Sequence, residues 1–265
     1  MRGKISMAML ALIILMAVFA PALSPHDPNA IDLDTLKEAP GPNHFFGTDQ
    51  KGRDIFTRIL YGGRISMGIA LTAAMLSMSI GLVVGLVSGY AGGRSDTAIM
   101  AFVDLVLSFP SLLLAIGVSL VLPPGLHTPM IALAAVGWAS FARLIRGHTL
   151  SLREAPFIEA ARAVGASPPR IVFIHLLPQC IPLSLVMLGL KLGGFILLEA
   201  SLSFLGLGAQ PPTASWGAMI SSGRAYLVVS PWMILFPGIA IAITALCFNI
   251  LGDALSDRYG YRTDT

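Results

Sequence analysis

The sequence predicts an all-α membrane protein with about six transmembrane helices. Only 12% of its 265 residues are charged, whereas soluble domains carry about 25% charged residues. The composition is 55% hydrophobic, and the mean hydropathy is +0.79. Several apolar runs approach the roughly 20 residues that a helix needs to cross about 30 Å of hydrocarbon. These observations indicate a helical chain that crosses the membrane several times.

The predicted spans follow the apolar runs in chain order, at residues 5–23, 65–90, 97–122, 129–143, 181–207 and 231–251. The first run is long for a signal-peptide core, and the APALSP that follows Phe19 is a poor cleavage site. We therefore expect a retained helix, with a signal peptide as the alternative. The fourth run is the weakest because its uncharged part ends at Arg143. The side chains of Arg143 and Arg146 can snorkel from the end of this run to the interface.

The distribution of Lys and Arg predicts the orientation, because cytoplasmic segments carry an excess of these residues. With the N-terminus inside, the inside segments hold Arg2, Lys4, Arg94, Arg143, Arg146, Arg153, Arg162, Arg170, Arg258 and Arg262. The outside segments hold Lys37, Lys51, Arg53, Arg58, Arg64 and Arg224. Both termini are then cytoplasmic.

The predicted divisions are 1–64 (a helix and an extracytoplasmic segment), 65–255 (a transmembrane domain with a cytoplasmic loop at 150–180) and 256–265 (a cytoplasmic tail).

Several functional classes do not fit this composition. The basic residues cluster at the ends of spans, so the net charge of +3 predicts membrane orientation rather than nucleic-acid binding. Cys180 and Cys247 lie in or beside apolar spans without a metal-binding pattern, which predicts buried thiols. The five histidines are scattered, so we expect no metal site. No nucleophile–base pair or paired carboxylates occur in a span, which argues against an intramembrane enzyme.

A polar stretch at residues 154–178 interrupts the apolar sequence between the fourth and fifth spans. Phe157, Ile158, Ala161 and Val164 recur at helical spacing on one side, and the prolines at 168 and 169 end the pattern. The stretch therefore predicts a short amphipathic helix on the cytoplasmic side. Such a helix can lie in the lipid headgroups or insert into a groove of another protein.

The same stretch carries a family motif. Glu159-Ala160-Ala161, then Gly165, then Leu177-Pro178 resembles the EAA loop of ABC-importer permeases. The general pattern has isoleucine where this chain has His175, and HLLP is similar to the dipeptide/oligopeptide/nickel branch. The stretches at 44–66, 104–116, 197–217 and 248–258 resemble the second, C-type permease subunit of that branch, in matching order and spacing.

This resemblance implies a type I importer fold and a coupling role for the EAA loop, which docks in a cleft of an ATPase subunit. The residues that match or flank the motif are Phe157, Glu159, Ala160, Ala161, Arg162, Gly165, His175 and Pro178. The implied partners are a homologous second permease subunit, two ABC ATPase subunits, an extracytoplasmic substrate-binding protein and the lipid of the inner membrane. The implied cargo is di- or oligopeptides; nickel or a metal chelate is the alternative.

The chain contains no GxxxxGK[ST] phosphate loop, so we expect it not to be an enzyme. We expect no cofactor on this chain, and the resemblance implies ATP and Mg in the ATPase subunits. A stand-alone secondary transporter is a competing class. Such proteins are built from internal repeats, and none is visible in this sequence.

Three ionisable residues, Asp104, Lys191 and Glu199, fall inside predicted spans. Charged groups cost about 2.5–3.5 kcal/mol at this depth on insertion scales, so they usually face a cavity or a partner. They predict a substrate path in which Lys191 and Glu199 meet the two ends of a peptide. The alternative is an internal or inter-subunit pair, such as Asp104 with Lys191.

Two outer loops, at 47–54 and 206–217, are rich in Gly, Pro and turn residues. We expect them to shape an outer gate or a docking surface for the binding protein, through Asp49, Arg53, Asp54, Gln210 and Trp216. The alternative is that these loops only connect helices.

Residues 54–66 predict an amphipathic helix along the outer interface. In the second span, Gly81, Gly85 and Gly89 share one face and predict close packing against another helix.

Overall fold

A computed structural model describes residues 2–259, with side chains from Ile5 to Asp257. Over these residues the chain forms helices α1 (Arg2–Val18), α2 (Ala20–Leu23), α3 (Ile55–Ala91), α4 (Gly93–Ser108), α5 (Ser111–Val121), α6 (His127–Arg153), α7 (Pro156–Ala163), α8 (Pro168–Arg170), α9 (Leu177–Phe204), α10 (Trp216–Gly223) and α11 (Trp232–Tyr259). The described part contains no β-strand beyond one isolated bridge. The all-α prediction is therefore confirmed.

The predicted spans correspond to four long helices, one bent pair and one shorter helix. The long helices are α3, α6, the continuous helix Pro168–Phe204 and Trp232–Asp257. The continuous helix joins α8 to α9 through a π-helical turn, Ile171–Leu176. The shorter apolar helix is Ile5–Val18. The side chains of Arg2, Lys4, Arg258 and Arg262, and residues 260–265 of the predicted tail, lie outside the described residues.

The third predicted span, 97–122, is wrong as a straight helix. α4 and α5 meet at an angle of 94°. The break lies at Phe109-Pro110, where Phe109 is extended with φ −88° and ψ 142°. Proline has no N–H to continue a helix and disfavours helical geometry in the residue before it. The chain therefore turns sharply within a run that hydropathy alone treats as continuous.

The separate amphipathic helix predicted at 54–66 is also wrong. These residues form the first turns of α3, which runs without a break from Ile55 to Ala91. Asp54 caps the helix, because its Oδ2 accepts a hydrogen bond from the Thr57 amide at 2.7 Å. At 37 residues, α3 is about 55 Å long, which is well beyond the hydrocarbon thickness of about 30 Å.

The glycine face of α3 packs directly against α6, as predicted. A Cβ at Gly85 would lie 2.7 Å from both the Ala142 carbonyl oxygen and the Ile145 Cβ, and one at Gly89 would lie 2.7 Å from the Thr149 Cβ. Real Cβ atoms do not approach other atoms so closely, so the absent side chains allow the two backbones to meet. This contact joins α3 and α6 into the centre of the bundle, and α9 packs on both.

Candidate coupling segment and membrane cavity

The coupling segment, residues 154–178, follows α6 and includes the first turns of the continuous helix Pro168–Phe204. Ala155 is extended, and Pro156 begins α7, where a missing N–H costs no hydrogen bond. The helix ends at Ala163, and Gly165 in the following turn has a φ of +81°, a conformation that favours glycine. The Ala166 amide donates to the Ala161 carbonyl at 3.0 Å. A glycine-terminated turn therefore separates α7 from the next helix.

α7 packs against the rest of the chain through two apolar side chains. Ile158 is fully buried and Ala161 is 8% exposed. They pack in one cluster with residues of α3, α6, the π-helical turn and α9: Leu86, Ile145, Ile171, Leu176, Cys180 and Leu183. The amphipathic helix predicted here is confirmed, but its apolar residues divide between two directions. Phe157 is 43% exposed and Val164 is 85% exposed, so these two remain open.

The open side of the segment is a concave surface of about 500 Å³. Its lining residues are Phe157, Ala160, Ala161, Val164, Gly165, Ala166, Arg170 and His175. The structure therefore brings His175, which lies within the π-helical turn, beside the α7 residues of the same motif. Glu159 and Arg162 are exposed but do not line this surface, and Pro178 is exposed in the first turn of α9.

An ion pair next to this segment was not anticipated from the sequence. Arg146 donates from Nε to Asp96 Oδ1 and from Nη2 to Asp96 Oδ2, each at 2.6 Å. Ser88 Oγ donates to Asp96 Oδ1 at 2.5 Å. These residues tie together α3, α4 and α6. The sequence signal was present, because Asp96 lies in the first turn of α4, where a carboxylate is favoured by the helix dipole.

Asp104 forms an internal pair, but with Arg143, so the partner suggested above, Lys191, is wrong. The guanidinium of Arg143 donates to Asp104 Oδ1 across α4 and α6. Both side chains stay open to the outside of this chain, at 54% exposed for Arg143 and 61% for Asp104. Hydropathy placed Asp104 within a span and Arg143 at the cytoplasmic end of another, but their partnership depends on how α4 and α6 cross.

Lys191 lines a cavity of about 200 Å³ between the bent α4–α5 pair, α6 and α9. The other lining residues are Val106, Leu107, Phe109, Ser111, Leu133, Val136, Gly137, Ser140, Gly194, Phe195 and Leu198. Among residues 5–257, no carboxylate lies within ion-pair distance of the Lys191 ammonium. The cavity is thus mainly apolar, with one cation and two serine hydroxyls.

Glu199 does not share that cavity. Its side chain is fully buried within this chain, and its Oε1 accepts a hydrogen bond from Ser203 Oγ at 2.6 Å. Its Oε2 has no hydrogen-bond partner among the described residues. A path role for Glu199 stays a prediction, and this geometry does not favour it, because the carboxyl group faces the interior of the helix bundle.

Most of the predicted outer-loop residues are buried. Asp49 Oδ2 accepts from Arg53 Nε at 2.7 Å, and both side chains are under 10% exposed. The Trp216 indole donates to the Ile59 carbonyl at 3.0 Å. Asp49, Arg53, Asp54 and Trp216 therefore hold the loops in shape from within, whereas Gln210 is exposed. Their role in a gate or docking surface stays a prediction.

His26 and His44, which are distant from each other in the sequence, lie side by side near the start of α3. The rings of His26 and His44 lie 4.8 Å apart, and with Asp54 they place three potential metal-ligand atoms within 4.8 Å of one another. Protein partners already occupy the Asp54 carboxylate. Oδ1 contacts His44 Nδ1 at 2.9 Å, and Oδ2 accepts from the Thr57 amide. Through these contacts Asp54 caps α3 and fastens the outer segment to it.

Comparison with known proteins agrees with this architecture. Residues 81–263 match the family described as "Binding-protein-dependent transport system inner membrane component". Residues 3–40 match "N-terminal TM domain of oligopeptide transport permease C". The fold resembles a chain of the MetNI methionine ABC transporter in an inward-facing conformation, with a TM-score of 0.61, 21% identity and coverage of 77% of this chain and 97% of that one.

Relatives of known designation span nearly the whole chain. A peptide transport system permease protein of Brucella suis biovar 1 is 44% identical, covering 96% of this chain and 86% of the relative. The glutathione transport system permease protein GsiD of Escherichia coli O6:K15:H31 is 45% identical, covering 93% of this chain and 82% of the relative. The chain therefore belongs to the family of inner membrane components of binding-protein-dependent transport systems, as a multi-pass ABC-importer permease of the dipeptide/oligopeptide branch.

Proposed function

We propose that this chain is one of two permease subunits of an ATP-driven importer, and that it moves di- or oligopeptides by alternating access. An extracytoplasmic binding protein delivers the peptide, and two ABC ATPase subunits supply the energy. The relatives named for peptide and glutathione transport support this cargo class, since glutathione is itself a small peptide. A stand-alone secondary transporter is inconsistent with the family.

The observation that carries this function is the open face of α7. Ile158 anchors α7 to the bundle, while Phe157 and Val164 remain exposed beside a concave surface. Exposed apolar groups of this kind mark a docking site, and a short amphipathic helix suits insertion into a groove of another protein. Since α7 is joined to α6 and to the helix Pro168–Phe204, a displacement of α7 is transmitted to two membrane helices at once.

The chemistry of ATP hydrolysis lies in the partners. The chain has no GxxxxGK[ST] loop, which is the usual element for holding the phosphates. ATP and Mg therefore bind the ATPase subunits, and this chain carries no cofactor and catalyses no reaction. Its part is mechanical, as a lever with two positions.

The same proposal sets the topology. Both termini and α7 lie in the cytoplasm, following the excess of Lys and Arg in those segments. The outer segment at 24–54 and the loop at 205–215 then face the binding protein. The exposed Asp104–Arg143 pair is costly in lipid, so this face lines the path or meets the second permease subunit.

The test is uptake of radiolabelled substrates by the complete importer in proteoliposomes. Dipeptides, longer peptides and nickel with and without a chelator are each offered with and without ATP. We expect peptide uptake that requires both ATP and the binding protein. Uptake of nickel alone would move the cargo to a metal while keeping the mechanism. Uptake that needs no ATP would overturn the proposal.

A further inference from the structure

The position of Lys191 is unusual for a lysine in a membrane helix. It lies 14 residues after Leu177 and 13 before Phe204 in α9, about 20 Å from either end. Lysines near helix ends reach the interface by snorkelling, but this one is too far from both ends to do so. Ionisable residues at this depth normally face a water-filled cavity or an opposite charge.

The two acids predicted in the spans, Asp104 and Glu199, both interact with residues other than Lys191. Asp104 is bound by Arg143, and Glu199 is fully buried with its Oε1 on Ser203. No ion pair joins Lys191 to any carboxylate in the described part of the chain. Lys191 therefore has no counter-charge in the described part of this chain, and its exposed side chain is open to an anion from outside it.

The surroundings of Lys191 suit the end of a peptide. The cavity of about 200 Å³ adds the hydroxyls of Ser111 and Ser140 to the ammonium, and the rings of Phe109 and Phe195 to the apolar wall. Complete small-molecule sites are usually about 300–1,000 Å³. The cavity is thus large enough for a terminal residue, while the remainder of a ligand needs a second wall.

Asp104, an acid on one of the helices that line this cavity, is neutralised by an ion pair with Arg143. Asp104 precedes the lining residue Leu107 by three positions, and Arg143 follows the lining residue Ser140 by three. Each therefore lies within about 4.5 Å, along its helix, of a residue that lines the cavity. Because Arg143 neutralises Asp104, an entering carboxylate meets the Lys191 charge without an opposing free acid.

We propose that Lys191 binds the C-terminal carboxylate of the transported peptide in this cavity, and that this contact determines specificity. The inference rests on the proposed function, because it requires that peptides cross this subunit. The site recognises a carboxylate through an ammonium and neighbouring hydroxyls. It selects for a free peptide terminus rather than for a particular side chain.

The experiment compares a dipeptide bearing a free C-terminal carboxylate with the same dipeptide as a C-terminal amide. Uptake is measured in proteoliposomes with the complete importer carrying the wild-type chain, Lys191→Met, Lys191→Arg or Arg94→Met. Arg94→Met removes one exposed cation from the first turn of α4, outside the lining of the cavity, and is the matched control for charge. ATP hydrolysis stimulated by the binding protein reports that each variant is assembled and coupled.

We expect Lys191→Met to lower uptake of the free dipeptide by about 10-fold or more, as a lost charged hydrogen bond predicts, and to leave uptake of the amide unchanged. Lys191→Arg and Arg94→Met should keep the preference for the free carboxylate. Equal loss of both dipeptides in Lys191→Met, with stimulated ATP hydrolysis intact, would overturn the inference and indicate an acid of the second permease as partner. Failure of the proposed function would appear instead as absent peptide uptake in the wild type.

Discussion

Asp96 receives two parallel hydrogen bonds of 2.6 Å from the guanidinium of Arg146, one on each carboxylate oxygen. A further hydrogen bond from Ser88 completes the group. The three residues come from α4, α6 and α3, and they meet at the end of the bundle to which α7 is attached. Because the pair is bidentate and partly buried, it fixes both distance and orientation between α4 and α6.

We predict that Asp96→Ala lowers the free energy of unfolding of the purified importer by about 1–3 kcal/mol, because Arg146 loses its partner. A double-mutant cycle with Arg146→Ala should show coupling above about 1 kcal/mol. The control is the pair of Arg153 with Glu154, which is 69% exposed and should couple by less than about 1 kcal/mol. Equal coupling in both cycles, measured by denaturant unfolding, would contradict a structural role for Asp96.

The glycine face of α3 predicts a sharp contrast within one helix. Gly85→Ala places a methyl group 2.7 Å from the Ala142 carbonyl oxygen and should cost about 1–3 kcal/mol through overpacking. Gly68→Ala is the matched control, because a Cβ at Gly68 meets nothing within 4 Å. It should be neutral or stabilising by up to about 1 kcal/mol. Thermal unfolding of both variants checks this, and similar losses would refute the close approach of α3 and α6.

Substitutions of two neighbouring residues of α7, Phe157 and Ile158, distinguish a role in docking from a role in stability. Phe157→Ala removes an exposed ring, so ATP-driven uptake should fall at least about 10-fold while stability changes by less than about 0.5 kcal/mol. Ile158→Ala empties a fully buried position and should lower the free energy of unfolding by about 2–5 kcal/mol. Normal uptake by Phe157→Ala would show that the open face of α7 does not couple to the ATPase.

The buried setting of Glu199 predicts a structural rather than a selective effect. Glu199→Gln retains an oxygen for the Ser203 hydroxyl, so the ranking of peptide substrates should stay unchanged. Glu199→Ala leaves Ser203 without this acceptor and should lower the free energy of unfolding by about 1–3 kcal/mol. The checks are uptake across peptides of several lengths and thermal unfolding. A changed substrate ranking in Glu199→Gln would return this residue to the path.

The sequence predicted the class, the coupling motif and the contact face of α3 because each depends on residues close together in the chain. Hydropathy is a sum over about 20 neighbours, and Gly81, Gly85 and Gly89 share a face in any α-helix. The amphipathic helix at 156–163 followed from the same local reasoning. Pro110 was equally visible, but the apolar residues on both sides of it concealed the bend that it introduces into the third predicted span.

Tertiary structure alone decided which side chains meet. The rotation and crossing of helices paired Asp104 with Arg143, buried Glu199, and left Lys191 facing a cavity without an acid. It also divided the apolar residues of α7, turning Ile158 inward and Phe157 outward. The physical reason is that transfer into lipid depends on the composition of a segment, whereas ion pairing and burial depend on packing between segments distant in the chain.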